Sequence, residues 1–385
     1  MTTQANRLIA VHLLNDWSGS PLVFRQALEA LHTDRRVIRL YTATPGGSGF
    51  LSNLPGVAEH PLPYRWSANK LLTLLYFLHT QLYLFGHLLL SLRPTDTVYV
   101  NTLLPFGAAL AGWLRGCPVV YHVHEVSLKP VLLKRLLLAV ADRTARQVIF
   151  VSHYAASQLP LARPQRRVVH NALPAAFTQQ ADRIITPTIQ PPFTVLMLCS
   201  NKAYKGVNEF IGCARQLPRL RFLLVLNTTP ADVERLREQA LPPDNCLLFS
   251  AQTDTIPFYR QAHVVLNLSR PDGWVETFGM TVLEALCCGR PVIVPPVGGV
   301  CELITDGVEG FTVDARDQPA LVEALTRLSS DVDLYLRLAQ AARRRAAYFS
   351  TGQYNQQIVT VFRRLTPSPV VIGAETGVLQ PNVYE

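Results

Sequence analysis

Charge is scarce in this 385-residue chain: 16% of its residues are Asp, Glu, Lys or Arg, against 49% that are apolar. That balance excludes a disordered chain and a coiled coil. Acid is the scarcer sign, 27 residues against 36 Lys and Arg, leaving a net charge of +9. An anionic partner is implied, whether nucleic acid, phosphorylated small molecule or anionic membrane surface. No aromatic-interleaved basic repeat, RNP-like string or zinc-finger spacing occurs, so nucleic acid is set aside. The seven cysteines are odd in number and scattered, with no Cys-x-x-Cys. They suggest neither a disulfide framework nor structural zinc, and fit reduced thiols in the cytoplasm. Met1 to Ile9 lacks the charged and apolar stretches of a secretory signal. A Gly-x-Gly-x-x-Gly after the first apolar run is also missing, which argues against a nicotinamide-dependent enzyme.

What is present is a repeated alternation of strand and helix patterns, and the length calls for two domains. Strands are expected at Arg7–Asn15, Val37–Thr42, Thr97–Asn101, Pro118–Val123, Gln147–Val151 and Arg167–His170, with helices between them. A proline-rich stretch from Asn171 to Phe193, including Pro174, Pro187, Pro191 and Pro192, reads as a linker. A second alternation follows at Thr194–Cys199, Phe222–Asn227, Cys246–Phe249, Val264–Leu268 and Pro291–Pro295. Alternation of this kind indicates α/β, with two doubly wound Rossmann-like halves and parallel sheets. The expected division is residues 1–175 and 190–350, with a tail helix at about 351–366 and an irregular end after Pro367.

Arg270 to Gly289 is the most informative stretch. Thr277 reads as an N-cap, Phe278 to Cys288 as a helix, and Gly289-Arg290-Pro291 as its stop. Gly279 in the first turn would let a ligand approach the free amides of residues 277–280, and such a helix start binds phosphate. Glu276 and Glu284 frame that start. In one helix they would lie about 80° apart, so Glu276 belongs in the preceding loop, with Glu284 about 10 Å along the helix from the phosphate end. The separation suits a nucleotide diphosphate sugar, one carboxylate on the sugar and one on the ribose. The plain alternative, a flanking Glu276 and a solvated Glu284, fits poorly with Val282, Leu283, Ala285 and Leu286 around the second glutamate.

Glu276 to Glu284 resembles the E-x7-E motif of the GT4 family of retaining GT-B glycosyltransferases. The likeness continues through Pro295-Pro296-Val297-Gly298-Gly299, Glu302-Leu303-Ile304, Asp306-Gly307 and Glu309-Gly310. Several expectations follow from the resemblance. Two Rossmann-like domains would face each other across a cleft, and the tail helix would return to the first domain. Lys205-Gly206 would present its lysine to the donor diphosphate, and His124, in His122-Val123-His124-Glu125, would face the donor sugar. Gly19 would occupy a turn near the phosphates. The Gly-Arg that usually precedes the lysine is replaced by Cys199 to Tyr204, which points to Lys202 for the missing charge.

The resemblance thus assigns catalysis to His124, Glu276 and Lys205. It assigns donor binding to Gly19, Lys202, Lys205, Thr277, Phe278, Gly279, Met280 and Glu284. The donor would be a nucleotide-diphosphate sugar and the acceptor a glycan or lipid-linked molecule, in cell-surface polysaccharide synthesis. No cofactor is implied, and no metal, since no Asp-x-Asp lies in a suitable loop. A catalytically inactive, membrane-associated binding protein of the same fold is the other reading. Leu71 to Leu92, interrupted by His79, Gln81 and His87, reads as a buried or membrane-surface helix rather than a span. The basic helix of Lys129 to Arg146 is compatible with a peripheral, anionic-membrane location and equally with an ordinary core-facing helix.

Overall fold

The computed structural model describes residues 7–34, 36–185 and 191–365. Among them, strands of three to eight residues, most of them apolar runs, build two all-parallel sheets, with a helix between most consecutive strands. The first half runs β1 (Arg7–Leu14), α1 (Gly19–Thr33), β2 (Val37–Ala43), β3 (Val57–Pro61), α2 (Lys70–Ser91), β4 (Thr97–Asn101), α3 (Phe106–Leu114), β5 (Val119–Val123), α4 (Val131–Thr144), β6 (Gln147–Phe150), α5 (His153–Gln158) and β7 (Gln165–Val168). Its strand order is β3-β2-β1-β4-β5-β6-β7.

A short helix α6 (Ala175–Ala181) leads to the second half: β8 (Thr194–Cys199), α7 (Val207–Gln216), β9 (Arg221–Leu226), α8 (Pro230–Ala240), β10 (Cys246–Phe249), α9 (Ile256–Gln261), β11 (Val264–Leu266), α10 (Met280–Cys287), β12 (Val292–Val294) and β13 (Gly310–Thr312). The order here is β10-β9-β8-β11-β12-β13. Three helices close the chain: α11 (Gln318–Ser330), α12 (Val332–Ala346) and α13 (Thr351–Arg363).

Both sheets reverse their winding once, between β1 and β4 and between β8 and β11. Parallel sheets bind ligands beyond the carboxyl ends of strands at such reversals, where loops part in opposite directions. Strands buried on both faces explain the continuous apolar runs; β4 and β5 are buried throughout.

Several boundaries differ from the sequence expectation. The β3 edge strand, Val-Ala-Glu-His-Pro, is half polar and mostly accessible, so it carries no apolar signal. β13 is three residues long. α6 forms inside the stretch read as a linker, while Pro187 lies outside the described residues, as does everything after Leu365. α1 begins at Gly19 rather than Pro21, so Gly19 belongs to a helix start and not to a free turn.

The tail helix does return to the first half. Its Tyr354, Ile358, Val361 and Phe362 are buried in the same cluster as Phe24, Leu28 and Tyr99. The Tyr354 hydroxyl donates to the Val23 carbonyl at 3.0 Å and the Thr351 hydroxyl to the Leu173 carbonyl at 2.8 Å. Phe362 is fully buried, edge-on to Tyr99 at 4.7 Å between centroids. Phe362→Ala is expected to cost about 3–5 kcal/mol. Urea unfolding measures this, and a loss below about 1 kcal/mol would mean that α13 contributes little to the first half.

Candidate active site

On the second sheet, the site grows from the ends of β8 and β11, neighbours at the reversal. After β8 the chain makes a short 3-10 turn, Ala203–Lys205, closed by Gly206 at φ 77°. There the Lys205 ammonium donates to Glu276 Oε2 at 2.7 Å and to Ser269 Oγ at 3.3 Å. Both members of the ion pair are largely buried. Burial opposes the charged lysine, but the Glu276 carboxylate outweighs it and the Lys205 pKa is raised. An ammonium has three donors, so one remains after these two bonds.

The loop carrying Glu276 is fastened to the lysine turn. Its Arg270 amide donates to the Tyr204 carbonyl at 2.7 Å, the Arg270 guanidinium pairs with Glu209 at 3.1 Å, and Trp274 stacks on Tyr204.

The helix after this loop starts later than its sequence pattern suggests. Thr277 is not the N-cap: α10 begins at Met280, with Gly279 in the cap position at φ 95°. Only glycine tolerates that conformation easily, and a Cβ there would also press on Val300 at 2.8 Å. Gly298 and Gly299 have a related cause. The Gly299 amide donates to the Glu276 carbonyl at 2.8 Å, and a side chain on Gly299 would collide with the Thr277 carbonyl. The glycine pair lets one loop lie directly on the other.

Because α10 starts at Met280, Glu284 sits only about 6 Å along it, nearer the helix start than expected. The Glu284 carboxyl accepts the Tyr259 hydroxyl at 2.5 Å, and burial pushes its pKa from 4.5 to about 7 despite that bond. Phe278 is buried among His170 and Phe349, so only its main chain is available to a ligand. Met280 is partly buried, packed against two of the core clusters. Lys202 is exposed and lines a groove of about 320 Å³ beside Leu236 and Gln239 of α8. A larger groove of about 490 Å³ lies past the ends of β9 and β10, lined by Asn227, Thr228, Thr229, Pro230, Ser250 and Ala251.

The first sheet supplies an uncharged histidine network at its own reversal. Asn101, ending β4, donates through Nδ2 to the Ser20 carbonyl at 3.3 Å and faces His12 Nδ1 at 3.0 Å. A carbonyl can only accept, so Ser20 fixes the amide orientation and turns Oδ1 toward His124 Nε2, 2.7 Å away. His124 therefore carries its proton on Nε2. Burial, then the nearby His122 and His12 rings, holds its pKa well below the ordinary range, and burial lowers His12 to about 4. His124 is thus linked through Asn101 to Ser20, the residue after Gly19.

The two halves meet at this point. The Thr277 hydroxyl donates to the His124 carbonyl at 2.7 Å. Nearby, the Glu302 carboxylate accepts the His153 amide at 2.9 Å, the Tyr154 amide at 2.6 Å and His170 Nε2 at 2.9 Å. Burial would raise the Glu302 pKa, but those bonds outweigh it and the pKa is lowered. Of the residues named from the sequence, Lys205 and Glu276 touch each other and Thr277 touches His124. Glu284 has its own partner, and Lys202 lies on the α8 side. Asn101, His12, Ser269 and Tyr259 were not foreseen. Asn101 ends β4 and Ser269 follows the end of β11, which was the one available signal.

Two family profiles match the chain: Glycosyl transferases group 1 over residues 179–345 and Glycosyltransferase Family 4 over residues 22–177. A D-inositol 3-phosphate glycosyltransferase of Salinispora arenicola is 41% identical over 110 residues, 28% of this chain and 24% of that protein. One of Xylanimonas cellulosilytica is 28% identical over 199 residues, 50% of this chain and 46% of that protein. The chain thus matches a quarter to a half of the length of these relatives. Among solved structures, HepE of Anabaena in complex with UDP and glucose aligns with TM-score 0.72 and 18% identity, covering 93% of this chain and 99% of that one. Sucrose-phosphate synthase of Thermosynechococcus elongatus aligns with TM-score 0.72 and 20% identity, covering 94% and 99%. These similarities establish the GT-B fold of two facing α/β halves.

The raised Glu284 pKa has a stability consequence of definite sign. A carboxyl near pKa 4.5 when unfolded and about 7 when folded binds its proton more tightly in the native state. Stability is then full below pH 4.5 and falls as pH rises toward 7. Glu284→Gln, which keeps an acceptor for Tyr259, should stabilise the protein by roughly 2–3 kcal/mol at about pH 8 and by little at about pH 4. Urea unfolding at both pH values tests this. A variant less stable than wild type at the higher pH would contradict a costly buried carboxylate.

Proposed function

This chain belongs to the GT4-type family of group 1 glycosyl transferases, and from its site we propose that it transfers a sugar from a nucleotide-diphosphate donor to a glycan or lipid-linked acceptor, with retention at the anomeric carbon. The observation that carries the reading is the Lys205–Glu276 pair at the reversal of the second sheet, opposite His124 of the first.

The donor binds mainly to the second half. The nucleobase enters the groove past β9 and β10, Glu284 accepts from the ribose hydroxyls, and the diphosphate lies against the α10 start and Lys205. Glu276 bonds the sugar rather than the phosphates, since two anions at one position repel. The bond from anomeric carbon to phosphate oxygen breaks with its electron pair moving to the diphosphate. The acceptor oxygen bonds to that carbon from the face the diphosphate leaves and passes its proton to the departing phosphate oxygen. Lys205 and the amides of residues 277–280 meet the developing charge, which is electrostatic stabilisation of the transition state. His124, uncharged and with its Nε2 proton on Asn101, offers its Nδ1 as an acceptor to a sugar hydroxyl without competing for the phosphates.

In this reading the reaction needs neither metal nor cofactor, and the first half receives the acceptor. A lipid-carried acceptor in cell-surface polysaccharide synthesis would place the enzyme at the cytoplasmic membrane surface. A panel of nucleotide-diphosphate sugars should reveal a donor that raises the melting temperature, with nucleoside diphosphate released on turnover and EDTA without effect. Glu284→Ala should weaken donor binding about tenfold to a hundredfold, and Lys205→Ala should lower turnover about 10²–10³-fold with the fold retained. Donor binding with no turnover for any acceptor or for water would favour an inactive binding protein.

A further inference from the structure

Helix α2 has an unusual surface. From Leu71 to Leu92 it contains no Asp, Glu, Lys or Arg. One face is core: Phe77, Thr80, Gln81, Leu84 and Leu88 are buried, α2 packs on α3, and the Gln81 side chain accepts the Gly107 amide at 3.0 Å. The opposite face is open. Leu71, Leu75, Leu78 and Leu82, at steps of four, three and four residues, form one exposed line, with Leu71 66% and Leu82 71% accessible. Soluble helices carry charge on such a face, and a contiguous open apolar row marks a contact surface.

A second row stands nearby. Helix α4 exposes Val131, Leu132 and Leu136, with Leu132 78% accessible, and α3 lies between α4 and α2. Both α2 and α4 run opposite to the parallel strands, so Leu71, Leu75, Val131 and Leu132 lie toward the carboxyl ends of the strands, the end that holds the site.

The charge around these rows has one sign. Between Glu59 and Asp142 the acidic residues are Asp96 and Glu125 alone. Asp96 is buried against Arg7, and Glu125 accepts the Leu103 amide, its pKa raised to about 7 by burial. Arg65, Lys70, Lys129 and Arg135 are all exposed.

We propose that the exposed faces of α2 and α4 form one docking surface for an anionic lipid bilayer, the leucine rows entering the headgroup boundary and the basic side chains meeting lipid phosphates. This deepens the reading of the first half as the acceptor side. An anionic bilayer suits the surface because it offers apolar depth and negative charge together. A second copy of the same face would set basic groups against basic groups. α2 is long and apolar enough to cross a membrane, but a crossing would strip its buried face from α3.

The test is co-sedimentation of the full chain with vesicles of phosphatidylcholine alone and of equimolar phosphatidylcholine and phosphatidylglycerol, at low and high salt. Pelleting is expected with the anionic vesicles only, and salt should weaken it. The triple variant Lys70→Glu, Lys129→Glu, Arg135→Glu should partition at least roughly a hundredfold less, and Leu75→Ser, Leu78→Ser, Leu82→Ser should abolish pelleting. Melting temperature and donor binding should be unchanged in both variants. Equal recovery in the supernatant with both vesicles, pelleting that resists salt, or a dimer that the serine variant turns into a monomer would overturn the proposal. Donor-dependent stabilisation measured on the same preparations separates the two readings. A protein that binds donors but ignores vesicles loses only the docking surface, and one that pellets but binds no donor loses only the transfer reaction.

Discussion

Two all-parallel sheets can share a ligand only where the carboxyl ends of their strands come together. In this chain the main chain from Glu276 to Met280 occupies that junction. Its carbonyl at Glu276 holds Gly299, its hydroxyl at Thr277 holds the His124 carbonyl, and its Glu276 carboxylate holds Lys205. The other features of the site follow from keeping this segment in place. Gly279 must turn the chain into α10, Gly298 and Gly299 must lie flat against it, and Arg270 and Trp274 tie its approach to the lysine turn.

The electrostatics divide along the same line. The second half holds the permanent charges, a cation beside a carboxylate in a largely buried setting. A pair of this kind is poor evidence for stability, because desolvation offsets much of its attraction. It does hold a cation with one donor beyond its bonds to Glu276 and Ser269. The first half contributes His124 and His12, both kept neutral by burial, together with the Asn101 amide that orients His124. One wall of the junction is therefore charged and the facing wall is neutral and polar. Glu284 differs from both, being a carboxyl with a single strong partner in Tyr259 and a cost of ionisation that a ligand hydroxyl can reduce.

Much of this was legible in the sequence, for identifiable reasons. Buried parallel strands read as apolar runs, so β4, β8 and β10 emerge with the bounds expected. β3 was hidden because an accessible edge strand need not be apolar, and β13 because Gly-Phe-Thr is no apolar run, unlike the equally short β11 and β12. The start of α10 was misplaced because Thr277 has the chemistry of a cap, yet its hydroxyl is spent on His124 in the other half. A contact between residues 153 positions apart leaves no local trace. Tyr259 and Asn101 escaped for the same reason, since each acts through a partner distant in the chain. Lys205 and Glu276 were recognisable through family resemblance, but their direct pairing depends on the reversal between β8 and β11, which spacing does not reveal.

That the two halves act as one donor site is the claim on which the functional reading stands. Hydrogen–deuterium exchange with and without a stabilising nucleotide-diphosphate sugar addresses it directly. Amides of residues 203–207 and 276–284 in the second half and of residues 101–104 and 122–126 in the first should gain protection together. Protection confined to the second half, with the His124 segment exchanging as freely as before, would contradict a shared site.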